Sequence, residues 1–171
     1  MGAATIDLLN FLRGLRAIRD YTSEPVSDQT LDSILEVGRW SGSAANRQPT
    51  ELVVIHDPET KRKFGEWGSN TATGAAAVLL LVTSDGAILD EGRMAERLLL
   101  AAAAQGLASN VSTLKENGPD HAKGLLGIPA DRRAEVVVTI GHVDETALRA
   151  RPKRANAGRK PMSEYVHREK F

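Results

Sequence analysis

Cysteine is absent from this 171-residue sequence. Its absence excludes disulfides, thiolate metal centres and a cysteine nucleophile, and it suits the reducing cytoplasm, the expected location. An excess of charge is also missing, with Lys+Arg 22 against Asp+Glu 22. Without a net field to attract polyanions, neither nucleic acid nor a membrane surface is an expected partner, and a phosphate would have to be held by a local cluster. Long apolar runs are missing too. The most apolar segments, AAAVLLLV and RLLLAAAAQGLA, fall short of the roughly 20 residues a membrane-spanning helix requires. The opening MGAATIDLLNFLRGL has no basic region followed by an apolar core, so it does not read as a signal peptide. Internal repeats and low-complexity tracts are absent. What is present is a globular composition, 42% hydrophobic and 26% charged. The length suffices for one domain with a sizeable core and is short for two, so a single domain over 1–171 is expected.

Helix-like and strand-like segments alternate along the chain. From Thr5 to about Leu15, Ile6, Leu9, Leu12 and Leu15 recur at helical spacing, with Thr5 as the expected N-cap. Ser27 or Asp28 caps a second helix whose apolar side carries Leu31, Ile34, Leu35 and Val37. Glu51 to Ile55 reads as a short β-branched strand, and Pro58 opens a helix through ETKRKFGEW. The continuous apolar run from Ala75 to Val82 reads as a strand covered on both faces. The longest helix is expected from about Ala87 to Gln105, ended by Gly106 at its C′ position. Its second half, LLLAAAAQG, is apolar nearly all round, more than a small domain readily covers, so a subunit interface is expected there. A short segment LASNV follows, then a helix around Asp120 to Leu126, then a strand in AEVVVTIGHV. From Thr146 the sequence turns basic and poor in large apolar residues, with Pro152 and Pro161 breaking it. That composition fits either disorder or an arm that orders against a partner.

The loop SGSAANRQPT, Ser41 to Thr50, sets small residues ahead of Asn46, Arg47, Gln48 and Pro49. Read alone, it is either an ordinary connection or a place where backbone approaches something flat. Two further spots are basic. One is LRAIRDY, with Arg16 and Arg19 three residues apart at the end of the first helix; the other is Gly158-Arg159-Lys160-Pro161 in the tail. Arg and Lys near a glycine or a helix end are common phosphate holders. The four histidines, His56, His121, His142 and His167, show no ligand spacing and read as surface or structural, so no metal is expected.

Taken in order, these segments resemble the FMN-dependent nitroreductase family in a short form. Leu15-Arg16-Ala17-Ile18-Arg19-Asp20-Tyr21 is similar to its N-terminal arginine pattern, and Gly42-Ser43-Ala44-Ala45-Asn46-Arg47-Gln48-Pro49-Thr50 to its Ser-rich loop before a strand. LLLAAAAQGLAS, Leu126-Gly127-Ile128-Pro129 with Ile140-Gly141, and Arg159-Lys160-Pro161-Met162-Ser163-Glu164-Tyr165-Val166-His167 match later motifs. Differences fall at Leu15, where many relatives carry an Arg, and at Ala17, Thr50 and Ala108.

The resemblance implies an α+β fold, a central, mostly antiparallel mixed sheet flanked by helices, in a homodimer whose C-terminal arm, residues 146–171, packs on the partner. It further implies FMN at the subunit interface. By position, Arg159 and Arg16 would hold its phosphate, Ala17 would lie where relatives place a hydroxyl, and Arg19 would sit by the pyrimidine edge of the ring. Ser43 and Ala44 would lie along the ring or ribityl chain of the shared site, Asn46 would order that loop or reach the cofactor, Asn70 would approach the ring edge, and Ser109 to Ser112 would offer backbone groups near N5 and O4. The implied activity is NAD(P)H-dependent reduction of nitroaromatics, quinones or similar small acceptors by ping-pong hydride transfer through the flavin, with NADH or NADPH as donor and no catalytic side chain. A flavin-storing protein with little turnover is the alternative.

Overall fold

The computed structural model describes residues 7–84, 86–152 and 158–171. Helix α1, Leu8–Gly14, starts where the Asp7 side chain accepts a hydrogen bond from the Asn10 backbone N–H. Asp7 is thus the N-cap; Thr5, the cap expected from sequence, lies outside the described residues. Ser27 caps α2, Asp28–Arg39, in the same way through Thr30, one of the two residues the sequence nominated. Strand β1, Thr50–Ile55, leads through Asp57 and Pro58 into α3, Pro58–Glu66. Strand β2, Ala77–Ser84, then precedes α4, Ile88–Ala104. Gly106, with φ +73°, ends α4 in the left-handed region that glycine enters without steric cost. Strand β3, Ala108–Thr113, α5, Gly118–Leu126, the two-residue β4, Arg132–Arg133, and β5, Val136–Gly141, complete the body. Two short helices follow, α6, Glu145–Ala150, and α7, Met162–Tyr165.

The sheet runs β1-β2-β5-β3, with β4 pairing the end of β2, and every pairing among these strands is antiparallel. Alternate residues serve two cores. Leu79, Leu81, Val138 and Ile140 pack against Leu31, Ile34, Met94 and Leu98 of α2 and α4. Val78, Leu80, Val82 and Val137 pack on the opposite face with Phe64 and Ala122 of α3 and α5. Helical cover on both faces is what a continuous apolar strand such as β2 demands. Among the described residues no helix is long and apolar enough to cross a membrane.

The amphipathic pattern of α1 does not find its core within this chain. Leu9 is 72% exposed and Leu8 61%. At the start of α4, Ile88 and Leu89 are likewise exposed, and so is Trp40 after α2. Every described residue from 158 to 171 is exposed.

Candidate functional site

Strand β3 is a sheet edge, and its free side faces the segment that links α1 to the body. The Ile18 N–H donates to the Ser109 carbonyl at 2.9 Å. Antiparallel strands turn alternate residues toward and away from their neighbour. Since the Ser109 carbonyl points away from β5, Val111 and Thr113 do as well; Leu114, of opposite parity, donates to the Glu135 carbonyl at 2.9 Å. The open edge therefore offers the backbone N–H groups of Ser109 and Val111. Below residue 18 the segment continues to hug the body: Thr22 N–H reaches the His142 carbonyl and Asp144 N–H the Asp20 carbonyl, both at 2.9 Å.

A cavity of about 690 Å³ opens beside this edge. Phe11, Leu15, Ile18, Leu99, Leu107 and Leu148 supply apolar walls, Arg16 and Glu96 the charge, and Ser109 the inner end. Ala17 and Leu148 separate it from a second cavity of about 250 Å³ that holds Arg19, Asp20 and Arg151. The Arg151 guanidinium pairs with the Asp20 carboxylate, with Nη2 at 2.8 Å from Oδ1. Arg19 has no carboxylate partner among the described residues. The Arg16 guanidinium turns back to the end of α1, donating to the carbonyls of Arg13 at 2.8 Å and Leu15 at 2.6 Å. Such contacts satisfy carbonyls that the helix itself leaves unpaired.

The Ser41–Thr50 loop lies elsewhere, against the beginning of α4. Its Ala44 N–H points to Asp90 Oδ2 at 3.4 Å. Gly42 admits the Arg93 guanidinium, since a Cβ at Gly42 would sit 2.6 Å from Arg93 Nη2. Three non-glycine residues here take positive φ: Ala45 at 51°, Asn46 at 54° and Gln48 at 50°. Such angles cost free energy and persist only where surrounding bonds enforce them. Ser43 Oγ enforces them by accepting from the Gln48 N–H at 2.8 Å, and Asn46 Oδ1 accepts from Gln48 Nε2 at 3.4 Å.

Along α4, Asp90 and the nearest wall of the larger cavity, Glu96, are six residues apart, and Ala103 is thirteen. At the helical rise of 1.5 Å per residue this is about 9–20 Å. Within one chain the structure therefore brings Arg16, Ala17 and Arg19 together, but not Ser43, Ala44 and Asn46 with them. Asn70 is exposed in a turn beside Thr71, outside the residues lining either cavity, and Arg159 is exposed in the tail, its Nη1 donating only to the Gly158 carbonyl.

The sequence pattern of the nitroreductase family matches residues 12–85, which hold both the Arg16–Arg19 segment and the strained loop. An Archaeoglobus fulgidus protein that carries the name NADH dehydrogenase/NAD(P)H nitroreductase is 28% identical across 96% of this chain and 99% of its own. The chain resembles the nitroreductase family over residues 12–85. A Vibrio harveyi NADPH-flavin oxidoreductase is 26% identical over 76% of this chain and 63% of its own length. Among solved folds, nitroreductase A from Vibrio parahaemolyticus superposes with a TM-score of 0.84 at 23% identity, covering 98% of this chain and 78% of that one. An FMN-dependent nitroreductase from Clostridium difficile reaches 0.80 at 22% identity, over 95% and 99%.

The histidines stand apart from the cavities. His121 faces the Trp67 ring, His167 stacks on Phe171 with centroids 4.3 Å apart, and His142 lies 3.8 Å from Glu24. Several residues here were not singled out from sequence. Phe11 and Leu148 wall the cavity and carried no signal beyond helical periodicity, while Leu99, in the LLLAAAAQGLAS run, was read for the family pattern and an interface rather than for a cavity wall. Tyr21 stands in the quoted LRAIRDY motif; burial raises its phenol from 10.0 to about 12, against the lowering effects of its Thr139 hydrogen bond and Arg19.

Proposed function

We propose that this protein is an FMN-dependent NAD(P)H oxidoreductase acting on nitroaromatic, quinone or similar small acceptors, working as a homodimer with two shared sites. The observation that carries the reading is the apolar cavity beside an open strand edge, rimmed by Arg16 and adjoining Arg19. Its volume of about 690 Å³ is in the range of cofactor pockets. The donor set suits FMN: apolar walls for a flat ring, backbone N–H groups for a polar ring edge, and guanidinium groups for anionic portions. Relatives named NADPH-flavin oxidoreductase and FMN reductase [NAD(P)H] agree with that chemistry.

FMN held in this cavity would supply the redox chemistry between NADH or NADPH and the acceptor. The chain's part is to bind and tune. Arg19 favours negative charge on whatever lies beside it, as electrostatic stabilisation of developing charge requires. Phe11, Leu15 and Ile18 keep water from the cavity wall. Arg16, now on the α1 carbonyls, and Arg159, exposed on the tail, are assigned to the phosphate, with Ala17 on the wall between the two cavities. Ser43, Ala44 and Asn46 are assigned to the second wall of the partner's site, and Asn70 to the ring edge. The separation of the two sets along α4 supports this: a two-fold axis across α4 turns the beginning of one helix toward the later half of its mate. Residues 146–171 act as the arm that packs on the partner, the rest of 1–171 being one domain.

Co-refolding two inactive variants tests the shared site. Arg19→Ala removes a cation from one wall, and Ala44→Trp fills the other. Mixed dimers should regain about half the active sites of a mixture's heterodimers, whereas a site built within one chain would regain none. The flavin-storing alternative draws on Leu15 and Ala17, which leave the phosphate side with fewer donors than the family pattern. Bleaching of the bound flavin by nicotinamide distinguishes the two.

A further inference from the structure

We propose that Tyr21 is a positioning residue for the cofactor cleft, the last link of a one-way hydrogen-bond chain that fixes the backbone between Arg16 and Arg19. This rests on the functional reading above. Four side chains on the sheet face opposite the large cavity form the chain. Tyr21 OH lies 2.9 Å from the Ile18 carbonyl and 2.9 Å from Thr139 Oγ1. Thr139 Oγ1 lies 3.0 Å from Thr71 Oγ1, and Asn110 Nδ2 donates to Thr71 Oγ1 at 3.4 Å.

Counting protons gives the direction. A carbonyl can only accept, and of the two carbonyls in reach of the Tyr21 hydroxyl, Ile18 at 2.9 Å and Thr139 at 3.3 Å, the nearer takes its single proton. Thr139 Oγ1 also has the Asn110 carbonyl as an acceptor at 3.4 Å; giving its proton to the nearer partner, Tyr21 at 2.9 Å, makes Thr139 the donor of that contact and Thr71 the donor of the next. Asn110 begins the series with its amide. Each hydroxyl accepts once and donates once, an order in which neighbouring bonds polarise one another. Thr139 is wholly buried and Asn110 nearly so, at 2% exposure, while Tyr21 and Thr71 are half-buried, so the middle of the chain is shielded from competing water.

The chain ends on Ile18, and that end matters. Ile18 has both backbone groups committed, its N–H to Ser109 and its carbonyl to Tyr21. Its side chain lines the large cavity with Arg16 and Ala17, while the next residue, Arg19, enters the smaller one. A rotation of the Ile18 peptide would carry both guanidinium groups with it. Phenylalanine would fill the same volume and supply no proton.

The test compares wild type, Tyr21→Phe and Thr139→Val. The expected result for each variant is FMN affinity weaker by roughly three- to tenfold, the effect of losing one neutral hydrogen bond. The flavin midpoint potential should fall, because Arg19 no longer sits where it favours the reduced, anionic ring. In the FMN-free protein the Ile18 amide should exchange faster with deuterium while the Leu80 amide in β2 keeps its protection; a merely structural role would move both together and leave the potential unchanged. Combining the two substitutions should cost less than the sum of each. Wild-type affinity and potential in Tyr21→Phe overturn the assignment alone. A wild type that fails to bind FMN overturns the functional reading, and this assignment with it.

Discussion

Glu91 shows how single residues in this molecule trade charge for burial. It sits in α4 with its side chain 2% exposed, one oxygen 3.2 Å from Arg133 Nε and Oε1 without a partner in the described residues. Burial raises its pKa above the ordinary glutamate value, outweighing the lowering effect of Arg133. A raised carboxyl contributes stability that is complete below the unfolded value and is lost as pH rises through the folded one. Glu91→Gln should therefore gain on wild type in melting temperature as pH rises above the ordinary glutamate range; a variant that loses ground as pH rises would refute the assignment. Arg159 makes a different case. Among the described residues its hydrogen bond is to its own neighbour in the tail, so its removal should leave the folded chain alone. Arg159→Ala should weaken FMN binding at least tenfold, a charge-assisted bond to phosphate being worth about 1.5–3 kcal/mol, against little change for Lys170→Ala. Equal small losses, read by fluorescence quenching, would remove Arg159 from the phosphate. Sequence motifs singled out Arg16, Ala17 and Arg19, which the fold does gather at two adjoining cavities. They could not disclose that Arg16 also closes the end of α1, because that depends on where the helix stops.

At the scale of elements, β2 and α4 were the most legible, for opposite reasons. A run such as AVLLLV has no polar residue to lose, and helices cover both its faces. The seventeen residues of α4 carry enough periodicity to be unmistakable. Strand β3 was not read as a strand. ASNVST has no alternation of apolar and polar residues, since Asn110 and Ser112 face a buried polar layer with Thr71, Thr139 and Ser69. The first helix misled in another way, for its apolar stripe is real yet remains outside the core of this chain. Together with Ile88 and Leu89 it forms apolar surface of the kind that marks contact between proteins. Leu89 is 78% exposed, so Leu89→Asp should change the melting temperature of the isolated chain little while shifting the sedimentation coefficient from dimer to monomer. A variant that remains dimeric would take α4 out of the interface.

The whole molecule has a well-packed body and a tail without support of its own. Arg151 anchors the root of that tail to Asp20, next to Arg19, while residues 158–171 meet no core. Truncation after Arg151 should leave the sheet's circular dichroism intact and weaken self-association at least tenfold; unchanged association would count against a wrapping arm. Body and tail together serve the proposed activity, holding FMN and passing electrons from a nicotinamide to a small acceptor. Anaerobic titration of the FMN-reconstituted protein with NADH and with NADPH tests it most directly. Stoichiometric loss of the flavin's visible absorbance is expected with at least one of the two, and its return on adding a quinone or nitroaromatic. A protein that takes up no FMN, or whose bound FMN keeps its absorbance under both donors, would contradict it.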